Sequence, residues 1–421
     1  MAEQRIISPT ELDLQAAISA VKVSNPELGI ARVCATLREG NPAWQLSEKR
    51  VRKLMASLGL VQHPDTGADG PGACRKAAAA SSVPISYIAP GDFVTELGKG
   101  KVEVKYIDGT KGKGVFACRD FGRGENIFEE TPFAWYPRWD TVGANYHTQS
   151  DAECQLCARP VKRSLHVDRG LMRPVKCNHC PAWFCSNLCK KEALARFHQI
   201  ECPKHNPHFV SLANACRAWE WGAPMGAARA IERVLMEYEH SAERGEAAWK
   251  SIRAFATVRT DIMDKKRKGM SWFLYEADYE NKWKTTYELM KKALCPPPEE
   301  CGLARFGCIP KKVRDELFSY VEWLNLIGSY CLNDQNGGFY LLQSCFNHNC
   351  DPNCVVVHPN NGKYQAIIQT LRPIGAGEEM SISYVNPRDG VAMRKQTLHD
   401  WYMFDCQCVR CVKEAACNGL P

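Results

Sequence analysis

The sequence lacks any apolar run long enough to cross a membrane, and its first residues lack the basic stretch followed by an apolar stretch that marks a secretory signal. It also lacks a strong excess of one charge, since its formal net charge is +7 over 421 residues. That balance permits contact with nucleic acid or nucleosomes without requiring it. We therefore expect no membrane partner and a protein of the nucleus and cytoplasm.

Cysteine, in contrast, is abundant: there are 22 residues. In a reducing compartment so many thiols indicate metal sites rather than disulfides. Seven thiols and one imidazole follow a tight spacing, and they are Cys154, Cys157, Cys177, Cys180, Cys185, Cys189, His198 and Cys202. Eight such ligands suffice for two closed tetrahedral zinc sites, which serve structure rather than catalysis. Spacing alone leaves open whether the ligands pair sequentially or interleave.

A second cysteine cluster contains Cys406, Cys408 and Cys411. These three thiolates are one ligand short of a closed zinc site. Three further cysteines, Cys295, Cys301 and Cys308, lack tight ligand spacing, and we assign them no role.

The segment at residues 347–353, Asn-His-Asn-Cys-Asp-Pro-Asn, is dense in polar side chains, and its proline ends any helix. A β-rich segment follows at 363–370, then a Gly/Pro turn, and then residues 380–384 alternate and end in a tyrosine. Far upstream, residues 109–118 carry a Gly-x-Gly turn, which in isolation indicates only a hairpin.

Together these segments resemble the SET-domain protein lysine methyltransferases. The polar segment and the segment ending at Tyr384 are similar to the two C-terminal motifs of that family. The resemblance implies that Asn347 and His348 bind S-adenosylmethionine and that Tyr384 is catalytic. A tyrosine hydroxyl suits methyl transfer because it can hydrogen-bond the amine and present an oxygen to the methyl group.

Other site residues follow from the same resemblance. The implied catalytic residues are Tyr384 and Tyr402. The implied cofactor-binding residues are Lys111, Gly112, Lys113, Gly114, Asn347, His348, Tyr384 and Phe404. Trp401 is a further candidate for the aromatic wall, and Tyr330 aligns loosely with an aromatic of the lysine channel. Asn349 stands where the family usually has serine, and because a polar residue is kept we expect activity to be retained.

The first cysteine group resembles the MYND zinc finger over its whole length, and in that family the ligands interleave. One zinc would then take Cys154, Cys157, Cys185 and Cys189. The other would take Cys177, Cys180, His198 and Cys202. The family's post-SET segment takes its fourth ligand from the Asn-His-x-Cys motif, here Cys350, with Cys345 and Cys354 as rivals unless they are small buried side chains. The implied cofactors are S-adenosylmethionine and three zinc ions.

The order of motifs is that of the SET-MYND methyltransferases and predicts an α+β protein with a β-rich SET fold. The expected parts are a three-helix, helix-turn-helix-like module at 1–60, a linker at 61–90, N-terminal SET strands at 91–150, a MYND finger at 151–203, a helical insert at 204–330, the core SET segment at 331–385 and a post-SET zinc segment at 386–421. The short form resembles the fungal branch of SET-domain histone methyltransferases and its animal counterpart.

The third helix of the N-terminal module, begun by Ser47 and ended by Gly59, carries four basic residues beside an apolar stripe. The basic residues are Lys49, Arg50, Arg52 and Lys53. One interpretation is contact with DNA or a nucleosome through residues 1–60, and the other is a helical interaction module with a solvated basic face. The same choice between nucleic acid and solvent applies to Lys190 and Lys191. The basic run at 265–268 is interpreted as a nuclear-import signal or a solvated loop.

The predicted function is therefore S-adenosylmethionine-dependent protein lysine N-methylation by a monomer, with a histone tail as substrate. Ribosomal or other non-histone proteins are the alternative substrates. A non-catalytic zinc scaffold recruited to chromatin, and a transcription factor that relies on residues 29–60, are the rival functions.

Overall fold

The computed structural model describes residues 8–10, 13–15, 17–18, 21, 28–57, 83–88, 96–108, 110–136, 153–159, 161, 173–267, 279–295, 309–359 and 365–417. The chain divides into two compact units, one of Met1–Ala73 with Ile107–Gly112 and the other of Cys74–Tyr106 with Lys113–Pro421. Within the described ranges no helix is long and apolar enough to cross a membrane.

The N-terminal unit contains helices α1 (Ile30–Gly40) and α2 (Glu48–Ser57). The predicted cap of α2 is confirmed, because Ser47 Oγ accepts the N–H of Arg50 at 3.3 Å. Arg50 itself donates to Ser8 Oγ at 2.8 Å and to Pro9 O at 2.6 Å. These bonds tie α2 to residues 8 and 9 within the module. Contact of its basic face with DNA or a nucleosome stays a prediction. The predicted helix end at Gly59 lies outside the described residues.

The larger unit is built around two small sheets. The first contains, in spatial order, β1 (Val102–Asp108), β2 (Gly112–Ala117), β11 (Glu379–Ile382) and β8 (Asn347–His348). The second contains β3 (Asn126–Glu130), β10 (Ala366–Thr370) and β9 (Cys354–Val357). Two-stranded pairs join β4 (Ala134–Trp135) to β7 (Gly338–Phe339), and β5 (Val175–Lys176) to β6 (Trp183–Phe184). The predicted strands near residues 101–106 and 363–370 are confirmed.

The inward faces of the two sheets form one core. Val115 of β2, Ile368 of β10 and Met380 of β11 are fully buried in it, together with Ile127 of β3. The burial of β10 alternates along the strand, as a sheet with one packed face requires. The sheets are thereby fixed against each other by side chains that have no polar function.

The helices of the larger unit are arranged in three regions. The first region has α3 (Asn187–Ala193), a π-turn (Leu194–His198) and α4 (Gln199–Glu201). The second has α5 (Pro207–Ala218), α6 (Ala223–His240), α7 (Ala242–Arg253), α8 (Thr260–Arg267), α9 (Tyr279–Leu294), α10 (Lys311–Leu317) and α11 (Tyr320–Asn333). The third has the 3₁₀ turn Gln343–Cys345 with α12 (Val391–Tyr402) and α13 (Val409–Cys417). The predicted mixture of helices and strands is confirmed.

Side-chain caps define where these helices begin. Asn206 accepts from the Phe209 N–H at the start of α5, and Ser241 accepts from the Arg244 N–H at the start of α7. Ser319 does the same for α11. Each cap satisfies a backbone donor that the helix cannot, so these polar residues decide helix limits that apolar periodicity leaves vague.

Part of the predicted linker is attached to the helices. Ile85 exchanges two backbone hydrogen bonds with Thr257, at 3.2 and 3.0 Å, and the Tyr87 hydroxyl donates to Lys250 O at 3.0 Å. Residues 83–88 therefore pack on the helical region, and the linker interpretation is wrong for them.

Gly328 in α11 marks the closest approach between two backbones of this core. A Cβ at this position would lie 1.7 Å from the carbonyl oxygen of Val258. We expect Gly328→Ala to destabilise the protein by about 3 kcal/mol, because neither backbone can retreat without disturbing the core. Thermal and urea denaturation would measure the loss. Gly375→Ala is the matched control, since its nearest atom would be 4.0 Å away. Equal stability of the two variants would contradict this packing.

Candidate active site and metal centres

The parallel pairing of β8 with β11 brings the polar segment beside the strand that leads to Tyr384. Asn347 lies opposite Ser381, and His348 lies opposite Ile382. The loop after β8 also binds the end of β11, because the Asn349 N–H donates to Ile382 O at 2.9 Å. Residues that are thirty-odd positions apart in the chain therefore meet through backbone hydrogen bonds.

Asn353 locks the other end of this segment. Its Oδ1 accepts the Ser381 N–H at 2.7 Å, and its Nδ2 donates to Glu379 O at 2.9 Å and to Glu378 Oε1 at 3.0 Å. The side chain is 2% exposed. Only an amide offers an acceptor and two donors on one planar group, so asparagine is required here. Sequence reasoning noted this residue but assigned it no role.

The Asn347 amide is also committed to the protein. Its Nδ2 donates to Lys113 O at 3.0 Å and to Glu379 Oε1 at 3.1 Å. These bonds tie β8 to β2 and to the carboxylate of β11. Glu379 escaped the sequence analysis, although the Glu-Glu pair directly after the Gly-x-Gly turn at 375–377 was a signal that could have found it.

His348 connects Tyr384 to a cysteine. Its Nδ1 accepts the backbone N–H of Tyr384 at 3.0 Å, and its Nε2 lies 3.1 Å from Cys350 Sγ. Because Nδ1 accepts, the proton of a neutral imidazole lies on Nε2, from which it donates to the sulfur. The ring therefore holds the tyrosine backbone with one nitrogen and a potential metal ligand with the other.

Tyr384 lies two residues beyond β11. Its hydroxyl donates to Phe346 O at 2.6 Å. Burial raises the pKa of this phenol above its ordinary value, with a smaller contribution from Tyr402. The side chain is therefore neutral at physiological pH, and its oxygen keeps lone pairs that can accept a hydrogen bond.

Tyr402, the last residue of α12, and Phe404, two residues further on, stand against Tyr384. The ring centroid of Tyr402 is 4.8 Å from that of Tyr384, and its hydroxyl donates to Tyr384 O at 3.4 Å. The Phe404 ring is 6.5 Å from Tyr384 and 6.1 Å from His348. Such a half-buried aromatic cluster can enclose an alkyl chain or a cation such as a sulfonium.

The Gly-x-Gly residues are placed as follows. Gly112 has a φ of +68°, a conformation that favours glycine. Lys111 is exposed, and Gly114 is buried within β2. Lys113 Nζ donates to Ala254 O at 2.9 Å, and the residue is 6% exposed. This ammonium therefore binds the carbonyl at the end of α7. Lys113 contacts the polar segment through its backbone carbonyl, which accepts from Asn347.

Two other candidates lie elsewhere. The Tyr330 hydroxyl donates to Gly337 O at 3.2 Å, and its ring packs in the helical core. Trp401 is 47% exposed, with the guanidinium of Arg267 over its ring at 4.9 Å. Sequence distance could not separate these aromatic residues from the ones that do meet.

Eight of the predicted metal ligands form two groups, and in each group the ligand atoms lie within 4.8 Å of one another. One group is Cys154, Cys157, Cys185 and Cys189, and the other is Cys177, Cys180, His198 and Cys202. The grouping is the interleaved one. The β5–β6 hairpin reverses the chain between Lys176 and Trp183, so that Cys177 and Cys180 lie in its turn and Cys185 follows its second strand. Burial lowers the pKa of His198 to about 4, so its ring is neutral and has a lone pair for a metal ion.

A third group brings Cys350 to the C-terminal thiols. Its members are Cys350, Cys406, Cys408 and Cys411. The fully buried Arg394 donates to Cys411 Sγ at 3.6 Å and to Glu414 Oε2 at 2.8 Å. A guanidinium at this position favours thiolates, which are the metal-binding form of cysteine. Four thiolates in a buried tetrad fit zinc.

The rival cysteines are part of the sheet core. Cys345 and Cys354 are buried there, and burial raises the pKa of both, that of Cys354 to about 12. They are protonated small side chains rather than ligands. Cys295 packs against the helical core, whereas Cys301 and Cys308 lie outside the described residues. Lys190 Nζ donates to Lys176 O at 2.7 Å and to Asn178 Oδ1 at 3.1 Å, and contact of this side chain with nucleic acid stays a prediction.

Comparison with known proteins gives a consistent result. A family model described as SET domain matches residues 112–385. Histone-lysine N-methyltransferase SET5 of Yarrowia lipolytica is 28% identical over 92% of this chain and 78% of its own length. Protein-lysine N-trimethyltransferase SMYD5 of Mus musculus is 26% identical over 76% of this chain and 89% of its own. A solved SET domain of LSMT bound to lysine and AdoHcy covers 73% of this chain and 53% of that chain, with 11% identity and a TM-score of 0.34, too distant to bear on the site.

The contacts of Asn353 generate a prediction. Asn353→Asp keeps the acceptor for Ser381 but turns a carboxylate towards Glu378 and the Glu379 carbonyl. We expect a stability loss of about 3 kcal/mol, because the substitution removes both amide N–H donors and places a buried carboxylate against two oxygen acceptors. Asn349→Asp is the control, since Asn349 Oδ1 only accepts the Asp351 N–H and aspartate preserves that bond. Similar urea midpoints for the two variants would refute the role assigned to Asn353.

Proposed function

The chain belongs to the SET domain family, and on that premise we propose that it is an S-adenosylmethionine-dependent protein lysine N-methyltransferase. The observation that carries the proposal is the set of contacts around Tyr384. His348 of the polar segment accepts a hydrogen bond from the Tyr384 backbone, and the rings of Tyr402 and Phe404 flank the Tyr384 ring. The curated relatives in fungi are histone-lysine N-methyltransferases, and the mouse relative is a protein-lysine N-trimethyltransferase.

Tyr384 is the proposed residue at the transfer step. S-adenosylmethionine, when bound, supplies an electrophilic methyl group on a sulfonium sulfur. The attacking lysine nitrogen needs its lone pair and therefore has to lose its proton beforehand. Because the Tyr384 proton is committed to Phe346 O, its oxygen acts as an acceptor for the remaining amine N–H and so orients the nitrogen. Tyr402 encloses the alkyl part of the lysine beside it.

The cofactor is proposed to lie against β8 and the Gly-x-Gly strand. Asn347 and His348 shape this wall, with Phe404 over it and Gly112 and Gly114 allowing close backbone approach. Since the side chains of Asn347 and His348 already have protein partners, their backbone groups are the ones left to meet the cofactor. Lys111 keeps its proposed place at the cofactor carboxylate, and Lys113 contributes through its backbone.

The metal groups are proposed to be structural zinc sites, two in a MYND finger at 151–203 and one in the post-SET segment at 386–421. The donor sets, two Cys₄ and one Cys₃His, fit zinc. The third site takes Cys350 directly from the polar segment, so zinc would hold the C-terminal aromatics near Tyr384. A helical insert between finger and core segment completes the proposed division of the chain.

The proposed substrate is a histone-tail lysine, methylated by the monomer in the nucleus, with a further cytoplasmic population. The names of the fungal relatives favour a histone over a ribosomal or other non-histone protein. DNA or nucleosome contact by residues 1–60 stays a prediction, and the exposed Lys49 of α2 is one basic residue proposed to make it.

We expect purified protein to contain three zinc ions per chain. Elemental analysis checks the number, and one ion or none would overturn the zinc assignment. Cys177→Ser should lose one ion and loosen the finger locally, while cofactor binding is kept, because its tetrad is separate from Tyr384. Cys118→Ser removes an exposed cysteine outside all three groups and should retain three ions.

We expect Tyr384→Phe to slow methyl transfer by roughly 10²–10³-fold while the cofactor dissociation constant stays close to that of the wild type, because only one hydroxyl at the reacting amine is lost. Single-turnover methylation of core histones measures the rate. His348→Ala should instead weaken cofactor binding. Tyr287→Phe is the matched control, since it also removes a hydroxyl bonded to a backbone carbonyl, that of Phe318. Wild-type transfer by Tyr384→Phe would sink the catalytic assignment.

A further inference from the structure

The basic end of α8 is buried against the end of α12. Arg267, the last residue of α8, is 5% exposed. Its Nε donates to Asp400 O at 2.8 Å, and its Nη2 donates to Trp401 O at 3.3 Å. Carbonyls in the last turn of a helix have no partner within the helix, and a cation there also meets the negative end of the helix dipole. Arg267 therefore caps α12 from another helix, which overturns its interpretation as part of a solvated loop.

The guanidinium is itself held in place. Asp264 Oδ1, one turn earlier on α8, lies 3.8 Å from Arg267 Nη1, and the Trp401 ring lies under the guanidinium at 4.9 Å. Asp264 is fixed in turn by the indole N–H of Trp283, at 3.2 Å. A planar fork with several donors matches these contacts, whereas a lysine ammonium could not span two carbonyls in the same way.

Met403, directly after α12, shows why the chain needs holding here. It adopts a left-handed conformation, with φ of +63°, that is unfavourable for a residue with a Cβ. Its side chain is 4% exposed and packs with Val258, Met263 and Leu332. Apolar burial offsets the strain, so this turn depends on the helical region rather than on its own sequence.

Tyr402 lies between the capped carbonyls and this buried methionine. Its ring stands 4.8 Å from that of Tyr384 and its hydroxyl reaches Tyr384 O. We propose that Arg267 is a positioning residue: by capping α12 it sets the place of the Tyr402 ring against Tyr384. The inference rests on the proposed function, because it gives the helical region a part in shaping the lysine side of that site.

The test compares wild type, Arg267→Lys, Tyr402→Ala and the double variant. Kinetics use recombinant core histones, and hydrogen exchange with mass spectrometry follows residues 398–404. Arg259→Lys is the control, because Arg259 pairs with Asp261 at the start of α8. We expect Arg267→Lys to lower kcat/KM for histones about tenfold, to speed exchange in this segment, and to leave the cofactor dissociation constant within about twofold. In the Tyr402→Ala background the same substitution should have almost no further effect.

The outcomes separate the two claims. An inactive wild type on histones and on ribosomes overturns the proposed function, and hydrogen exchange alone then decides whether Arg267 holds the turn. With an active wild type, unchanged exchange in Arg267→Lys overturns the inference. So does an additive double variant, because a residue that acts through Tyr402 loses its effect once that ring is gone. Loss of zinc from Arg267→Lys, or an equal fall of kcat/KM in Arg259→Lys, would also overturn it, because the effect would then not be specific to the cap on α12.

Discussion

The imidazole of His348 is the contact on which the rest of the site depends. It accepts from the Tyr384 backbone on one side and donates to Cys350 on the other. One neutral ring therefore joins the end of β11 to the C-terminal cysteine tetrad. The tetrad in turn holds the C-terminal segment that carries Tyr402 and Phe404. Tyr384 on one side and these two aromatic residues on the other are therefore both held in place through His348. The ring can do this only because its two nitrogens have opposite roles, one accepting and one donating.

The polar segment mainly holds neighbouring strands together by hydrogen bonds. Asn347 and Asn353 lie at the two ends of one loop. Their side-chain amides donate hydrogen bonds to β2, to β11 and to the two glutamates of the turn. Buried amides with all their bonds made are rigid and costly to disturb. Much of what looks like ligand chemistry in the sequence is thus internal hydrogen bonding that holds short strands in register, with the backbone left to face a ligand.

The helical region is more than a spacer between the sheet segments. Lys113 reaches its backbone at Ala254, Arg267 caps α12, and Met403 is buried among its side chains. Lys113 and Arg267 reach carbonyls 141 and 133 positions away, and Met403 packs with Val258 and Met263, which also lie more than a hundred positions upstream. Local sequence patterns predicted a cofactor contact for Lys113 and a solvated position for Arg267. The structure differs because the role of each cation depends on which distant backbone carbonyl it contacts.

The sequence by itself determined the metal-ligand types, the strand that leads to Tyr384, and the family motifs, because these depend on side-chain chemistry and short spacing. It could not choose between sequential and interleaved ligands, since the β5–β6 hairpin, whose turn holds Cys177 and Cys180, makes that choice. Nor could it separate Tyr402 from Tyr330, or Cys350 from Cys345 and Cys354, which differ only in where distant segments pack. The cap on α12 and the attachment of residues 83–88 use backbone carbonyls and amides, which are the same in every residue type. Only the tertiary structure decides which of those groups is left without a local partner and which side chain or strand arrives to satisfy it.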